Sequence, residues 1–282
     1  MKPFLKSTID RESKKNSGTF SGMLSNNDIL NAMKDKEIII TDLKRFDPYS
    51  FYAQSSGVGS DLRLTPAGFN FSFTRFIVSL KSSSLYPIYL REKLDRNELF
   101  FTIMGGDTAL TLTYESIWVS RYIAGTFHAK VKNVSCGLGS ISTTLDPGWQ
   151  GQLLIAINNP NSFPIDVVIG SIEKDKEINI DNISFNSFIT LCLYRLQSPS
   201  DINSDNDNAR LQLLSKALEG TKDATSKEIV EIITDMLKVQ GYFDMNQGSN
   251  PSSEALADFE KKHAALLRRL DQIQPPVIKL CN

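Results

Sequence analysis

Along the first 40 residues the apolar positions change period. Ile29, Leu30 and Met33 recur at helical spacing behind Ser25, a residue type that caps helix N-termini, with Asp28 an acidic first-turn residue. The pattern predicts a short helix, then a buried strand at Ile38-Ile39-Ile40. From there to about residue 200 the apolar runs are short and rich in Leu, Phe and β-branched residues: 69–80, 99–104, 110–114, 153–157 and 165–169. Turn formers such as Gly105-Gly106-Asp107 and Asn158-Asn159-Pro160 separate them. Many short strands at this spacing predict a mainly β barrel or jelly roll. Residues 198–208 then form a polar linker, after which the period is helical again. Leu211, Leu214 and Leu218 make one stripe; Thr225 and Glu228 resemble a capping box ahead of Ile229, Ile232, Ile233, Met236 and Leu237, with Gly241 as the stop. A last helix is predicted over 253–273, with Leu256, Phe259, His263, Leu266, Leu267 and Leu270 on its apolar side. His263 on that stripe is expected to be a core or interface histidine. The division expected is a polar arm at 1–19, a β domain at 20–200, and a linker with helices at 201–282.

Composition narrows the function classes. The 282 residues carry 31 Lys and Arg against 32 Asp and Glu, a net charge of −1, so the basic excess of a dedicated nucleic-acid binder is missing. No apolar run approaches the roughly 18 residues that span a bilayer, and the N-terminus lacks the apolar stretch of a secretory signal. Cys136, Cys192 and Cys281 are odd in number and scattered, as free thiols in a reducing cytoplasm would be.

Four segments together resemble the dCTP deaminase/dUTPase superfamily. The first, 23–64, runs from the Met-Leu-Ser-capped helix through the Ile-rich strand and Phe46-Asp47-Pro48 to Asp61-Leu62-Arg63-Leu64. The second, 109–117, carries Glu115-Ser116 and resembles the strand and Glu-Ser turn ahead of the family's nucleotide loop. The third is the most specific: Thr143-Thr144-Leu145-Asp146-Pro147-Gly148-Trp149-Gln150-Gly151, followed by the strand 152–159. The fourth, 188–199, is similar to the family's closing strand and its Tyr-Arg-Leu-x-Ser-Pro ending. The resemblance covers about 180 of the 282 residues. It implies a trimeric dUTPase-like β core with sites between subunits and a (deoxy)nucleotide ligand. It also implies an Asp146 that activates water beside the sugar, a Trp149 packed on that sugar, and phosphate or Mg²⁺ contacts from Asp61 and Arg63. Thr144 and Thr190 fall at further ligand-contacting positions. The residues alone read more plainly: a turn aspartate at 61, an Asp-Pro-Gly turn at 146–148, and a core tryptophan.

The departures bear on chemistry. The resemblance places a deaminase's general acid/base glutamate at position 156, which is alanine, and no carboxylate nearby on that strand replaces it. Zinc-type deamination lacks its His-x-Glu and Pro-Cys-x-x-Cys motifs, so no zinc is expected. The phosphate-gripping Arg-Ser pair of dUTPases is matched by His128-Ala129, leaving Lys130 and Lys132, read as alternating on a strand, as point charges that phosphate could meet. Ser135-Cys136-Gly137-Leu138-Gly139 reads as hairpin geometry, and 170–187 as a charged exposed hairpin or loop. Three functions follow: a nucleotide-binding sensor, sequestering protein or regulator without deaminase activity; a Mg²⁺-dependent dUTPase-like pyrophosphohydrolase using Asp146; or a non-catalytic trimeric module whose C-terminal helices meet a protein partner. No membrane or nucleic-acid partner is expected.

Overall fold

The computed structural model describes residues 21–40, 64–139, 144–179, 181–200, 213–214, 216–218, 224–240, 252–273 and 276–280. Asp61, Arg63 and the 201–208 part of the predicted linker fall outside them. In chain order the elements begin with β1 (Gly22–Met23), α1 (Asn26–Lys34), β2 (Ile38–Ile40), β3 (Leu64–Thr65), β4 (Gly68–Phe71), β5 (Phe73–Ser79), β6 (Ser84–Leu85), β7 (Tyr89–Glu92), β8 (Asn97–Ile103) and β9 (Asp107–Val119). They continue with β10 (Ile123–Ala129), α2 (Val131–Ser135), β11 (Thr144–Leu145), β12 (Gln150–Asn159), β13 (Ile165–Ile172), β14 (Ser184–Phe185), β15 (Ile189–Arg195), α3 (Ala224–Gln240), α4 (Ser253–Gln272) and β16 (Ile278–Lys279).

The fold is mainly β, as the pattern predicts. Three sheets share one apolar interior. The first runs β11-β10-β15-β4-β3, with β1 also on β15; the second runs β12-β9-β5-β6, with β2 on β9; the third runs β14-β13-β8-β7-β16. Phe69, Phe71, Phe73, Phe76 and Phe101 are fully buried where they meet. Edge-to-face pairs such as Phe73–Phe188 at 4.7 Å and Phe69–Phe71 at 5.4 Å fill that interior. The Phe-rich run is two strands because the chain changes sheets at Ser72. Its N–H and hydroxyl donate to the buried Glu115 carboxylate at 3.0 and 2.7 Å, so the ladder bond lost there is replaced.

Ser25 is the N-cap, as predicted, and with Asp28 it closes a reciprocal capping box: the Ser25 hydroxyl accepts from the Asp28 N–H, and the Asp28 carboxylate accepts from the Ser25 N–H. Of the predicted exposed segment 170–187, residues 173–177 form an exposed charged loop, whereas 170–172 end β13 and Ile183 and Phe185 are buried, with β14 pairing back on β13. Three local expectations are corrected. Glu115-Ser116 is no turn but lies inside β9, because β9 runs on to Val119 and takes up its irregularity opposite Gln152 and Leu154. Lys130 and Lys132 do not alternate on a strand: β10 stops at Ala129 and Lys130 caps α2. The Gly-rich stretch 135–139 is therefore a helix end rather than a hairpin, with Gly137 at φ +91°, the left-handed residue that closes a helix.

The C-terminal helices lie on the second sheet. Ile229, Ile232 and Ile233 of α3, and Phe259, His263, Leu267 and Leu270 of α4, are buried. His263 is a core histidine, as its place on the stripe predicts: it stacks on Phe259, and its Nε2 is 2.8 Å from the Ser116 hydroxyl of β9. Arg75 of β5 donates to the Asp271 carboxylate of α4, through Nε at 2.7 Å, and to the Asp271 carbonyl at 3.3 Å. β16 then adds to the third sheet, parallel to β7. Among the described residues no helix is long and apolar enough to cross a membrane.

Candidate functional site

An open cleft of about 590 Å³ lies on the first sheet where β10 and β15 meet the turn after β11. Asp146 reaches it through a type II turn. The Trp149 N–H bonds to the Asp146 carbonyl at 3.1 Å, Pro147 sets the first central φ, and Gly148 at φ +78° supplies the second. That conformation favours glycine strongly, so the Asp-Pro-Gly order directs the half-buried Asp146 to the cleft.

Register builds the rest of the wall. Thr126 pairs with Thr144 across β10 and β11 and with Cys192 across β10 and β15, while Ala124 pairs with Tyr194. Paired residues share a face of a sheet. Ile123, Gly125, Phe127, Leu191 and Leu193 turn inward, and Thr126, His128, Thr144 and Tyr194 turn outward. The Thr126 hydroxyl is 3.0 Å from His128 Nε2 and 3.2 Å from the Tyr194 hydroxyl, and the Thr144 hydroxyl donates to Asp146 Oδ1 at 3.5 Å. Sequence reasoning reached Asp146 and Thr144. It missed Thr126, Tyr194 and Arg195, which also line the cleft. Only the partnering of β10 with β15 brings them there.

The other expected residues are placed elsewhere. Thr190 pairs with His128 and donates to Asn70 Oδ1 at 2.8 Å. It is four residues from Tyr194, about 13 Å along the strand. Lys130, the N-cap of α2, and the exposed Lys132 on that helix lie beyond that end. Trp149 is buried, does not line the cleft, and donates from its indole to the Gly151 carbonyl at 3.2 Å. Ala156 pairs with Leu110, and Gln152 pairs with Ser116. Between those pairs β9 gains two residues on β12, which preserves the face, so the half-buried Ala156 lies on the side of the sheet where Ser116 meets His263 of α4. Among the described residues no group of three His, Cys, Asp or Glu side chains could hold a metal ion.

A family model described as dCTP deaminase-like matches residues 23–172, from α1 through the Asp-Pro-Gly turn and Ala156 to the end of β13. A relative, the dUMP-forming dCTP deaminase of Nanoarchaeum equitans (strain Kin4-M), is 30% identical over 162 residues, 51% of this chain and 76% of the relative. Among solved structures, the 2′-deoxycytidine 5′-triphosphate deaminase of Agrobacterium tumefaciens aligns with a TM-score of 0.40 at 11% identity. That alignment covers 63% of this chain and 49% of the other, so the chain spans about half the length of that deaminase. The EIAV dUTPase aligns with a TM-score of 0.27 at 18% identity, over 46% of this chain and 97% of that one.

Proposed function

The chain belongs to the dCTP deaminase-like family, and from that membership we propose that it binds a (deoxy)nucleotide without deaminating it, acting as a sensor, sequestering protein or regulator. The observation that carries this reading is Ala156. Zinc-free attack of water at a cytosine C4 needs a carboxylate that takes a proton from the water and returns one to the departing ammonia. A methyl group can do neither. The position also lies on the face of the second sheet that receives α4 through Ser116 and His263, so its surroundings serve docking of the helical layer.

The cleft keeps polar groups suited to a nucleotide's neutral part: a carboxylate at Asp146 and hydroxyls at Thr126, Thr144 and Tyr194. Mg²⁺ bound chiefly through ligand phosphates needs only one or two protein carboxylates; among the described residues Asp146 is the carboxylate lining the cleft. In this reading the protein is a homotrimer whose neighbouring copies complete the site.

A thermal-shift screen against dNTPs, dUTP, NTPs and cyclic nucleotides with Mg²⁺, followed by product analysis, tests the proposal. A hit at a hundred times its Kd adds about 2.7 kcal/mol of stability, a shift of several degrees. No ammonia is expected from any hit, and a uracil product from dCTP would sink the reading. A second reading, dUTPase-like hydrolysis, is favoured by Asp146 lining the cleft. It predicts pyrophosphate release from dUTP that Asp146→Asn lowers at least a hundredfold while binding persists. If no nucleotide shifts the melting point at millimolar concentration, the non-catalytic module becomes the better account.

A further inference from the structure

Within a few residues of leaving α4 the chain changes sheets. α4 ends at Gln272 on the second sheet, and β16 begins at Ile278 on the third. The last turn of α4 is therefore held from two sides. On one, Arg75 of β5 donates to the Asp271 carboxylate, and both side chains are buried. On the other, the Ile278 N–H donates to the Ile88 carbonyl at 2.9 Å and the Leu280 N–H to the Leu90 carbonyl at 3.2 Å, along β7. Val277, just ahead of them, packs against the apolar interior. The two holds differ in kind. Arg75–Asp271 and Ser116–His263 are shut away from water. β16 is two residues long at the end of its sheet, with Ile278 45% and Leu280 41% exposed. Exposed backbone bonds with few buried contacts around them are the first to open. Arg268 of α4 also reaches Asp181, at 3.1 Å, but those side chains are more than half exposed and such a pair adds little. Once β16 leaves β7, the hold on the last turn shifts to Arg75–Asp271, a pair whose burial itself needs that turn seated.

We propose that β16 is a clasp on the helical layer: detachment of Val277–Leu280 from β7 releases α4 from the outer face of β9 and β12, where Ser116 and Ala156 lie. α4 then opens from its C-terminal end while the three sheets stay folded. Whatever takes up the C-terminal strand thereby controls exposure of that face.

Hydrogen exchange read by mass spectrometry, on the full chain at neutral pH, compares the unmodified protein with Ile278→Pro. Proline has no N–H to give the Ile88 carbonyl, and its place at a sheet edge leaves the ladders of the other strands intact. The remaining β16 amides should lose protection, and the last two turns of α4 should exchange about fivefold faster or more, the worth of roughly one hydrogen bond. β9 and β12 should stay within about twofold of the unmodified protein, since their bonds open only with the barrel. An α4 that exchanges at its original rate although β16 has come free overturns the proposal. So does a β16 that keeps its protection, because the strand is then not held by this pairing. Equal acceleration of α4, β9 and β12 overturns it as well, since β16 would then be part of the barrel's own core. Lys279→Ala serves as the second variant: Lys279 is exposed and its side chain makes neither bond to β7, so α4 should exchange as in the unmodified protein. A rise equal to that of I278P would show that backbone pairing on β7 is not what holds the layer.

Discussion

Replacing Asp271 by asparagine will destabilise the folded protein by about 3–5 kcal/mol, the cost of leaving a buried cation without its counter-ion. Arg75 sits in the middle of β5 with its side chain 7% exposed, and the Asp271 side chain is 9% exposed. Asparagine keeps the shape and can still accept a hydrogen bond, so the loss isolates charge. Taking an acidic group from the last turn of α4 relieves an unfavourable interaction with the helix dipole, but that gain is about 0.3–1 kcal/mol and does not reverse the sign. The double substitution Arg75→Met with Asp271→Leu removes both charges and fills similar volume. It should return stability to within about 1 kcal/mol of the unmodified protein or exceed it. Urea denaturation of the three variants measures the cycle. A single-mutant loss under 0.5 kcal/mol would mean that water reaches the pair and that the helical layer is not held by it.

This pair also marks where the sequence becomes opaque. An arginine between Thr74 and Phe76 in a partly alternating strand reads as solvent-facing, since nothing local announces a helix arriving from residue 271. Local signals fared well because short-range physics decides them. The Ser25 N-cap, the Ile38–Ile40 strand, the Asp-Pro-Gly turn and the buried stripe of the last helix each depend on residues within one or two turns of chain. Where an element end depended on tertiary pairing, the reading slipped. β9 runs through Glu115-Ser116 because β12 and β2 pair with it to the end, and Ala109–Ile117 is buried throughout because the helical layer covers its outer face. Lys130 and Lys132 looked like an alternating strand, although Gly137, eight residues past the end of β10, was a readable sign of a helix C-terminus.

The candidate site shows the same division. Asp146 and Thr144 were legible because one turn carries them, and Ala156 because family resemblance counts positions along a single strand. Thr126 and Tyr194 are 68 residues apart and meet only through the register of β10 with β15. Glu37 and Arg195 are 158 apart. The Arg195 fork is therefore visible in the sequence as an arginine, while its pairing with Glu37 is not.

Acidification should loosen the helical layer before it unfolds the barrel. Burial against β9 pushes His263 down to about 4, well below the ordinary histidine range near 6.5. In the folded chain the ring is neutral down to that value, whereas in the unfolded chain it takes up a proton below about 6.5. The sign follows: above pH 6.5 neither state binds the proton and His263 adds no pH dependence. Between 6.5 and 4 the unfolded state binds more, so stability falls as pH falls, by about 1.36 kcal/mol per unit and on the order of 3 kcal/mol in total. Both neutral tautomers satisfy the Ser116 contact, because a hydroxyl can donate or accept. The penalty therefore comes from burying charge. His263→Gln keeps a polar partner for Ser116 and removes the titration. The difference in unfolding free energy between the two proteins should be flat above pH 6.5 and slope below it. Hydrogen exchange should show α4 opening in that window ahead of β9 and β12. A difference that stays flat from pH 7 to 4.5 would mean that His263 is reached by solvent, and the anchoring of α4 would then fall to Arg75 and Asp271.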